Sequence, residues 1–206
     1  MAKLLLDLPT ADLLHREIAD LRSPLLDLFC QGAYQEGDFV LTSGQRSSYY
    51  INGKVVTLHP QGALMVGRLL LDLVPAETVA VAGLTLGADP LVTAVSLVGV
   101  YHRRDLFPLI IRKEAKGHGT RAYIEGLTLP PGSPITVLED VVTTGQSALK
   151  AVDRLQEAGY QVNQVLALVD RQQGGAELYQ SHHLPFKTLF TIDDIQAHWA
   201  TLNPAQ

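Results

Sequence analysis

Short apolar runs recur along the chain after His59, and each is separated from the next by a segment whose apolar residues have helical spacing. The runs cover residues 79–82, 109–111, 135–138 and 165–169. Strands that are apolar at nearly every position are buried on both faces, which is typical of a parallel sheet covered by helices. The sequence therefore predicts an α/β fold with a mostly parallel sheet flanked by helices. We also predict a helix over 62–73, and a strand over 186–190 followed by a helix from Thr191.

The first 57 residues have a different pattern. Apolar residues at three- and four-residue spacings predict a helical stretch over 10–31, which we expect Pro24 to divide into two helices. Alternating and β-branched residues over 37–57 predict a short antiparallel hairpin region, with extended segments at 39–41, 49–51 and 55–57. We expect roughly residues 10–57 and the C-terminal region to form a small hood, within a single domain that spans 1–206.

The charge and the cysteine content limit the possible partners. A formal net charge of −5 and a pI near 5.7 argue against general attraction to nucleic acid, which requires a basic surface. The one cysteine, Cys30, lies in an apolar run and is expected to be a buried thiol. Asp7 and Asp12 interrupt the N-terminal apolar stretch before it reaches the length of a signal sequence or a membrane span. We therefore expect a cytoplasmic protein with no nucleic-acid or membrane partner.

The most informative segment joins the apolar run at 135–138 to a helical segment that stops at Gly159. Between them lie two acids and a turn rich in hydroxyl groups: Glu139, Asp140, Val141, Val142, Thr143, Thr144, Gly145, Gln146 and Ser147. The unpaired N–H groups at the start of a helix, together with the helix dipole, attract an anion, and hydroxyl groups donate further hydrogen bonds to it. This turn therefore predicts a phosphate-binding cradle.

The two acids need a separate explanation, because carboxylates beside a phosphate repel it. Their position is explained if the ligand is a ribose 5-phosphate whose 2- and 3-hydroxyls donate to Glu139 and Asp140, directly or through Mg²⁺ and water. The alternative is a capped strand-to-helix turn with solvated acids. The sequence contains neither G-x-x-x-x-G-K-[ST] nor G-x-G-x-x-G, which disfavours a P-loop or dinucleotide-binding enzyme.

Residues 137–147 resemble the motif with which type I phosphoribosyltransferases bind 5-phosphoribosyl-1-pyrophosphate (PRPP), an apolar strand that ends in two acids and a T-x-G-x-S-like loop. The resemblance implies the fold of that family, with a small N-terminal hood. It also implies that residues 139–147 bind PRPP and that Asp140 is catalytic. Mg²⁺ is the implied cofactor, held mainly by PRPP, with Asp140 as the candidate protein ligand.

A basic segment follows the apolar run at 109–111. Residues 112–119, with the sequence R-K-E-A-K-G-H-G, closely match the flexible catalytic loop of orotate phosphoribosyltransferases. The resemblance implies that Arg112, Lys113, Lys116 and His118 contact pyrophosphate, with Lys116 and His118 in catalytic roles. It also implies a homodimer in which each loop reaches into the neighbouring subunit's site. An ordinary solvated basic loop is the alternative.

Residues 39–52 are similar to the hood segment that lies over orotate in the same family. The resemblance implies that Tyr50 and Ile51 bind orotate. Some family members carry a Lys where this chain has Thr42, so either Lys54 or Arg46 would supply the positive charge near the ligand.

Two further positions complete the implied site. Arg171 follows the apolar run at 165–169, at the sheet edge where open α/β folds bind ligands, and its planar fork suits a carboxylate. In the resembling family such an Arg pairs with the orotate carboxylate, and Thr143 is expected to touch the base as well. Residues 83–90 correspond to the family's pyrophosphate loop, where backbone N–H groups are expected to make the contacts because Leu86 and Gly87 replace an aromatic residue and a Lys.

The activity implied by these resemblances is transfer of the phosphoribosyl group from PRPP to orotate, which gives orotidine 5′-monophosphate and pyrophosphate in de novo pyrimidine (UMP) biosynthesis. A purine-type phosphoribosyltransferase is one alternative, although neither the basic segment nor the hood sequence is expected in it. A transcription regulator that keeps the PRPP site as a sensor is another, and the acidic charge balance opposes it. We expect no fused orotidylate decarboxylase, since 206 residues leave no room for a second domain.

Overall fold

The computed structural model describes residues 10–40, 44, 46–115 and 123–204. The helices are α1 (Thr10–His15), α2 (Arg22–Leu28), α3 (Gly53–Thr57), α4 (Pro60–Leu73), α5 (Asp89–Tyr101), α6 (Gln146–Glu157), α7 (Gly175–Ser181) and α8 (Ile192–Leu202). The strands are β1 (Tyr34–Val40), β2 (Arg46–Ile51), β3 (Ala80–Leu84), β4 (Phe107–Ile111), β5 (Ile124–Glu125), β6 (Pro134–Val142), β7 (Gln161–Asp170) and β8 (Phe186–Thr191).

A six-stranded sheet in the order β5-β4-β3-β6-β7-β8 forms the centre of the fold. Strand β5 pairs antiparallel with β4, and the other neighbouring strands are parallel. A hydrophobic core lies on each face of the sheet, because strands such as β3 are buried at every position. The predicted α/β fold with a mostly parallel sheet flanked by helices is confirmed, and each predicted apolar run lies in or overlaps a strand.

The N-terminal helices differ from the prediction in one respect. The break expected at Pro24 is wrong, because Pro24 lies in the first turn of α2 and the chain instead leaves the helix after His15. A proline in the first turn replaces an N–H that has no intrahelical partner, so it is tolerated there. A short 3₁₀ helix, Ile18–Leu21, joins α1 to α2, and a π-helical turn, Phe29–Ala33, leads into β1.

Strands β1 and β2 form a separate two-stranded antiparallel sheet, as predicted for the hairpin region. The extended segment expected at 55–57 is wrong, since these residues lie in the short helix α3. The backbone of Gly53, the first residue of α3, approaches Val141 and Asp140 so closely that a Cβ there would lie 3.3 and 3.5 Å from their side chains. Packing against β6 thus overrides the β propensity of two valines and a threonine.

The predicted elements at 62–73, 186–190 and from Thr191 are confirmed by α4, β8 and α8. Helix α8 begins with a capping box, in which the Thr191 hydroxyl accepts from the Asp194 N–H and the Asp194 carboxylate accepts from the Thr191 N–H. None of the described helices combines the length and the apolar character needed to cross a bilayer.

Candidate active site

Four of the segments predicted to form the site lie at the carboxyl edge of the parallel sheet. The cradle follows β6, Arg171 follows β7, the segment 83–90 extends from the end of β3, and Arg112 follows β4. Parallel strands end at one edge of a sheet, so these four segments are neighbours even though they are distant in sequence. The Thr85–Leu86 peptide bond, within the segment 83–90, is cis.

The cradle is a small cavity of about 80 Å³ between the end of β6 and the start of α6. It is lined by Glu139, Val141, Val142, Thr143, Thr144, Gly145, Gln146, Ser147, Ala148 and Tyr179. Gly145, the N-cap of α6, has φ of 83°, in the left-handed region that favours glycine. Gln146 and Ser147, at the start of α6, line the cavity beside it, and the unpaired N–H groups in the first turn of a helix favour an anion.

Asp140 is nearly buried, with 11% of its side chain exposed, at the point where the sheet meets α3 and the segment 83–90. Its Oδ1 accepts a hydrogen bond from the Val141 N–H at 2.9 Å, and its Oδ2 lies 3.7 Å from Lys54 Nζ. Gly87 packs against it so tightly that a Cβ there would lie 2.5 Å from Oδ1. The Asp140 carboxylate is therefore held at a fixed place beside the cradle.

Glu139, the neighbour of Asp140 in β6, lines the cradle cavity. It is 7% exposed, and its Oε2 has no hydrogen-bond partner among the described residues. Burial, reinforced by the charge of Asp140, raises the pKa of Glu139 to about 8. At neutral pH Glu139 is therefore mainly protonated in the ligand-free protein.

Arg171 is buried, with 8% of the residue exposed, immediately after β7. Its Nε donates to Tyr49 Oη at 3.2 Å and its Nη2 donates to Ser47 Oγ at 3.3 Å, so the hood hairpin touches the main sheet here. Its Cζ also lies 4.8 Å from the centroid of the Tyr49 ring. Within the described part of the chain, no carboxylate forms an ion pair with this guanidinium.

The two hood residues predicted to bind orotate, Tyr50 and Ile51, lie in different environments. Tyr50 is 43% exposed and its ring packs on Phe39, with 5.7 Å between the ring centroids, while Ile51 packs against the hydrophobic core. Tyr49, which the sequence did not single out, is the tyrosine that contacts Arg171. Strand alternation requires one of two adjacent tyrosines to face the sheet, but the sequence does not say which.

The structure distinguishes Lys54 from Arg46 as a source of charge near the site. Arg46 pairs with Asp38 at 3.1 Å, and both side chains are largely exposed. Lys54, on α3, lies beside Asp140 instead. The geometry therefore favours Lys54, and Thr42 itself lies outside the described residues.

The basic segment is described from Arg112 to Ala115 only, so Lys116 and His118 lie outside the described residues. Arg112 Nη1 donates to Glu125 Oε1 at 3.0 Å, which turns this side chain toward β5. Lys113 lines a second cavity of about 340 Å³, together with Leu84, Gln146, Ser147, Lys150 and Arg154. Of this pair, only Lys113 lines a cavity that shares Gln146 and Ser147 with the cradle, whereas Arg112 pairs with Glu125.

No protein-family model matches the chain. It is, however, 68% identical over 186 residues to the orotate phosphoribosyltransferase of Nostoc sp. (strain PCC 7120), which covers 90% of each chain. This chain belongs to the orotate phosphoribosyltransferase family. It is also 62% identical to the orotate phosphoribosyltransferase of Synechocystis sp. (strain PCC 6803), and this match covers 92% of this chain and 96% of the relative.

The fold of this chain is similar to the crystal structure of Mycobacterium tuberculosis H37Rv orotate phosphoribosyltransferase in complex with PRPP. It has a TM-score of 0.71 and 31% identity, and the match covers 85% of this chain and 99% of that chain. The resemblance of this chain to type I phosphoribosyltransferases, first indicated by residues 137–147, is confirmed for the fold.

In this orotate phosphoribosyltransferase the acid pair is suited to a hard cation as well as to hydroxyl groups. Asp140 and Glu139 present carboxyl oxygens near the cradle, and Oε2 of Glu139 is buried without a partner among the described residues. Oxygen ligands of this kind are those that Mg²⁺ takes in proteins. The described residues contain no group of three or more His, Cys, Asp or Glu side chains that could hold a metal. The donor set therefore fits an ion that brings most of its ligands with the substrate.

Replacing Glu139 with glutamine should remove a pH-dependent loss of stability from the ligand-free enzyme. The pKa of Glu139 in the folded protein is about 8, above the ordinary value of 4.5. Between these two pH values the unfolded state loses the proton and the folded state keeps it, so stability falls as pH rises and levels off above pH 8. Since one pKa unit corresponds to about 1.4 kcal/mol, Glu139→Gln should be more stable than wild type by a few kcal/mol at pH 9.

Urea unfolding at pH 4.5 and pH 9 measures this difference. At pH 4.5 the two proteins should be nearly equally stable, because Glu139 is neutral in the folded state and only half ionised in the unfolded state, which lowers the stability by about 0.4 kcal/mol. A constant difference between wild type and Glu139→Gln across this pH range would contradict the raised pKa.

Proposed function

We propose that this orotate phosphoribosyltransferase transfers the 5-phosphoribosyl group from PRPP to orotate, giving orotidine 5′-monophosphate and pyrophosphate in pyrimidine biosynthesis. The observation that carries the proposal is Arg171, a buried guanidinium beside the phosphate cradle with no acidic partner among the described residues. A buried positive charge is costly unless it is paired, so this position favours an anionic ligand. Orotate is a planar base that carries a carboxylate, which a guanidinium fork binds with two parallel hydrogen bonds.

PRPP binds along β6 in this proposal. Its 5-phosphate lies in the cradle formed by Thr143, Thr144, Gly145, Gln146 and Ser147, with Val141 and Val142 as the apolar base of the cavity. The 2- and 3-hydroxyls donate to Asp140 and Glu139. A phosphate and a diol placed in this order along one strand account for a cradle that directly follows two buried acids.

Orotate lies between the sheet edge and the hood. Arg171 holds its carboxylate and Thr143 contacts the base. Tyr50 and Ile51 contribute backbone groups, because β2 is paired on one side only in the described hairpin and its other edge is free to hydrogen-bond. Tyr49 and Ser47 orient the Arg171 guanidinium by accepting hydrogen bonds from its Nε and Nη2.

The transfer breaks the bond between C1 of the ribose and the pyrophosphate oxygen and forms a bond from C1 to N1 of deprotonated orotate. Negative charge builds on the departing pyrophosphate while the ribose takes on oxocarbenium character. Lys113 neutralises that charge together with Arg112, Lys116 and His118 of the neighbouring subunit's basic segment, and Asp140 and Glu139 steady the ribose as it flattens. When bound, Mg²⁺ adds further positive charge at the pyrophosphate oxygens, and Asp140 is its candidate protein ligand.

The test is a competition between bases. The enzyme is incubated with PRPP, Mg²⁺ and an equimolar mixture of orotate, uracil and hypoxanthine, and the loss of each base is followed by chromatography. We expect orotate alone to be consumed, since uracil lacks the carboxylate and hypoxanthine is a purine. Consumption of hypoxanthine without orotate would contradict the proposed substrate.

The enzyme is further proposed to be a homodimer of single-domain chains, each spanning 1–206 with the hood from roughly 10–57, in the cytoplasm. An apolar surface runs along α5 and the neighbouring loops, where Leu58, Leu86, Leu97, Val100 and Tyr101 are each at least 60% exposed. Exposed apolar patches of this kind mark protein interfaces. The groove in this surface is also lined by Lys54, the partner of Asp140, so a second copy bound here would reach the edge of the active site with its basic segment.

Replacing Leu97 with glutamate should dissociate the dimer. A two-fold axis places the new charge in the interface from both subunits, and burying unpaired charge costs several kcal/mol, so we expect dimerisation to weaken at least about 100-fold. Analytical ultracentrifugation measures the change, with Leu202→Glu, a leucine exposed on α8, as the control. Activity should fall with dissociation because each site then lacks its neighbour's loop. A dimer of unchanged affinity in Leu97→Glu would contradict this interface.

A further inference from the structure

Arg154, in the last turn of α6, contacts the first two residues of the basic segment and Tyr123, which follows the segment in sequence. Its Nη1 donates to the Arg112 carbonyl, its Nη2 donates to the Lys113 carbonyl at 3.0 Å, and its Cζ lies 4.0 Å from the centroid of the Tyr123 ring. Arg112 and Tyr123 are themselves joined by a backbone hydrogen bond of 2.8 Å from the Arg112 N–H to the Tyr123 carbonyl. The Arg154 guanidinium therefore holds residues 112–113 and Tyr123 against helix α6.

That helix is the one whose first turn forms the phosphate cradle. Ser147, in the cradle, and Arg154, two turns later, both line the cavity of about 340 Å³ that also receives Lys113 and Leu84. Leu84 is the last residue of β3, where the segment 83–90 begins. The cavity thus lies between the cradle, the proposed pyrophosphate segment and the basic segment. Lys113 lines this cavity, and its carbonyl accepts the hydrogen bond from Arg154.

We propose that Arg154 is a positioning residue for phosphoribosyl transfer: by holding the Arg112 and Lys113 carbonyls and the Tyr123 ring, it sets the place of the Lys113 ammonium relative to the cradle. This inference rests on the proposed function, since it assigns Lys113 to the pyrophosphate. Arg154 does not touch the substrate in this role. Its planar fork donates to two successive carbonyls and stacks on a ring at the same time, which a lysine cannot reproduce.

The first measurement is pyrophosphate binding with Mg²⁺ by calorimetry on the full-length protein, which does not depend on any acceptor. A misplaced charge in a preorganised site costs roughly tenfold or more, so Arg154→Lys and Arg154→Met should each weaken pyrophosphate binding about tenfold. Tyr123→Leu should act in the same direction. The control is Lys187→Met, which removes an exposed cation on β8 that does not line this cavity and should change binding by less than about twofold.

The second measurement is a double-mutant cycle with Lys113→Met. If Arg154 acts through Lys113, Arg154→Lys should have little further effect once Lys113 is gone, so the two changes should be far from additive. In steady state the variants should raise KM for PRPP and leave KM for orotate unchanged, whereas a purely structural role would lower the active fraction and leave both constants in place.

Three results would overturn the inference: wild-type pyrophosphate affinity in Arg154→Lys, an equal loss in Lys187→Met, or full additivity with Lys113→Met. If Arg154→Met is poorly folded by its melting temperature, Arg154→Lys and Tyr123→Leu still decide between these results. A wild-type enzyme that binds pyrophosphate but consumes no orotate would overturn the proposed function, and the calorimetric comparison would still test the role of Arg154.

Discussion

Arg171→Ala should lower kcat/KM for orotate about 100- to 1000-fold, because truncating one partner of a buried charge pair costs several kcal/mol and each 1.4 kcal/mol is a factor of ten. KM for PRPP should change little, since only the base carries the carboxylate that this fork binds. Steady-state kinetics with each substrate varied in turn separate the two effects. An equal loss of affinity for both substrates would contradict the assignment.

The contacts of Arg171 supply the controls for that experiment. Arg171→Lys keeps the charge and loses the fork, so its activity should lie between those of wild type and Arg171→Ala. Tyr49→Phe removes the hydroxyl that accepts from Arg171 Nε and leaves the guanidinium in place. Tyr49→Phe should therefore lower kcat/KM for orotate much less than Arg171→Ala does. Its effect measures how much the contact between Arg171 and the hood contributes, apart from the contact with the orotate carboxylate.

Asp140→Asn should lower kcat about 100- to 1000-fold with orotate and with any other acceptor, as expected when a preorganised charge at the reacting group is removed. Asparagine keeps the size of the side chain and an oxygen that can accept from the Val141 N–H, so the change is mainly one of charge. Asp153→Asn, an exposed position on α6, is the matched control. The rate of pyrophosphorolysis of orotidine 5′-monophosphate should fall by the same factor, since both directions share one transition state. Normal turnover of Asp140→Asn in either direction would rule out its role at the ribose.

The strands of the main sheet were predictable because a strand that is buried on both faces must be apolar at nearly every position. The cradle was predictable for a similar reason, since 139–147 combines acids, hydroxyls and a glycine that each have a separate chemical use. Strand β6, however, runs through Glu139 and Asp140 to Val142, beyond its apolar run. Acidic residues are not expected inside a buried strand, so the end of β6 could not be predicted without knowing the cavity that these two side chains border.

The hood and its junction with the sheet were less predictable. Tyr49 and Tyr50 are identical in type and adjacent, and the sequence does not fix which of them faces Arg171. Lys54 belongs to a short helix that is set by the close packing of Gly53 on β6, so its approach to Asp140 depends on tertiary contacts. The clamp made by Arg154 joins positions more than thirty residues apart, which no local pattern indicates.

A crystal structure of the enzyme with Mg²⁺, orotate and a non-reactive PRPP analogue would show where each part of the two substrates binds. We expect the 5-phosphate within hydrogen-bond distance of the N–H groups of residues 144–147, the ribose hydroxyls on Asp140 and Glu139, and the orotate carboxylate about 2.8 Å from the Arg171 guanidinium. A base whose carboxylate is bound elsewhere, with Arg171 still directed only at Tyr49 and Ser47, would contradict the proposed orotate site.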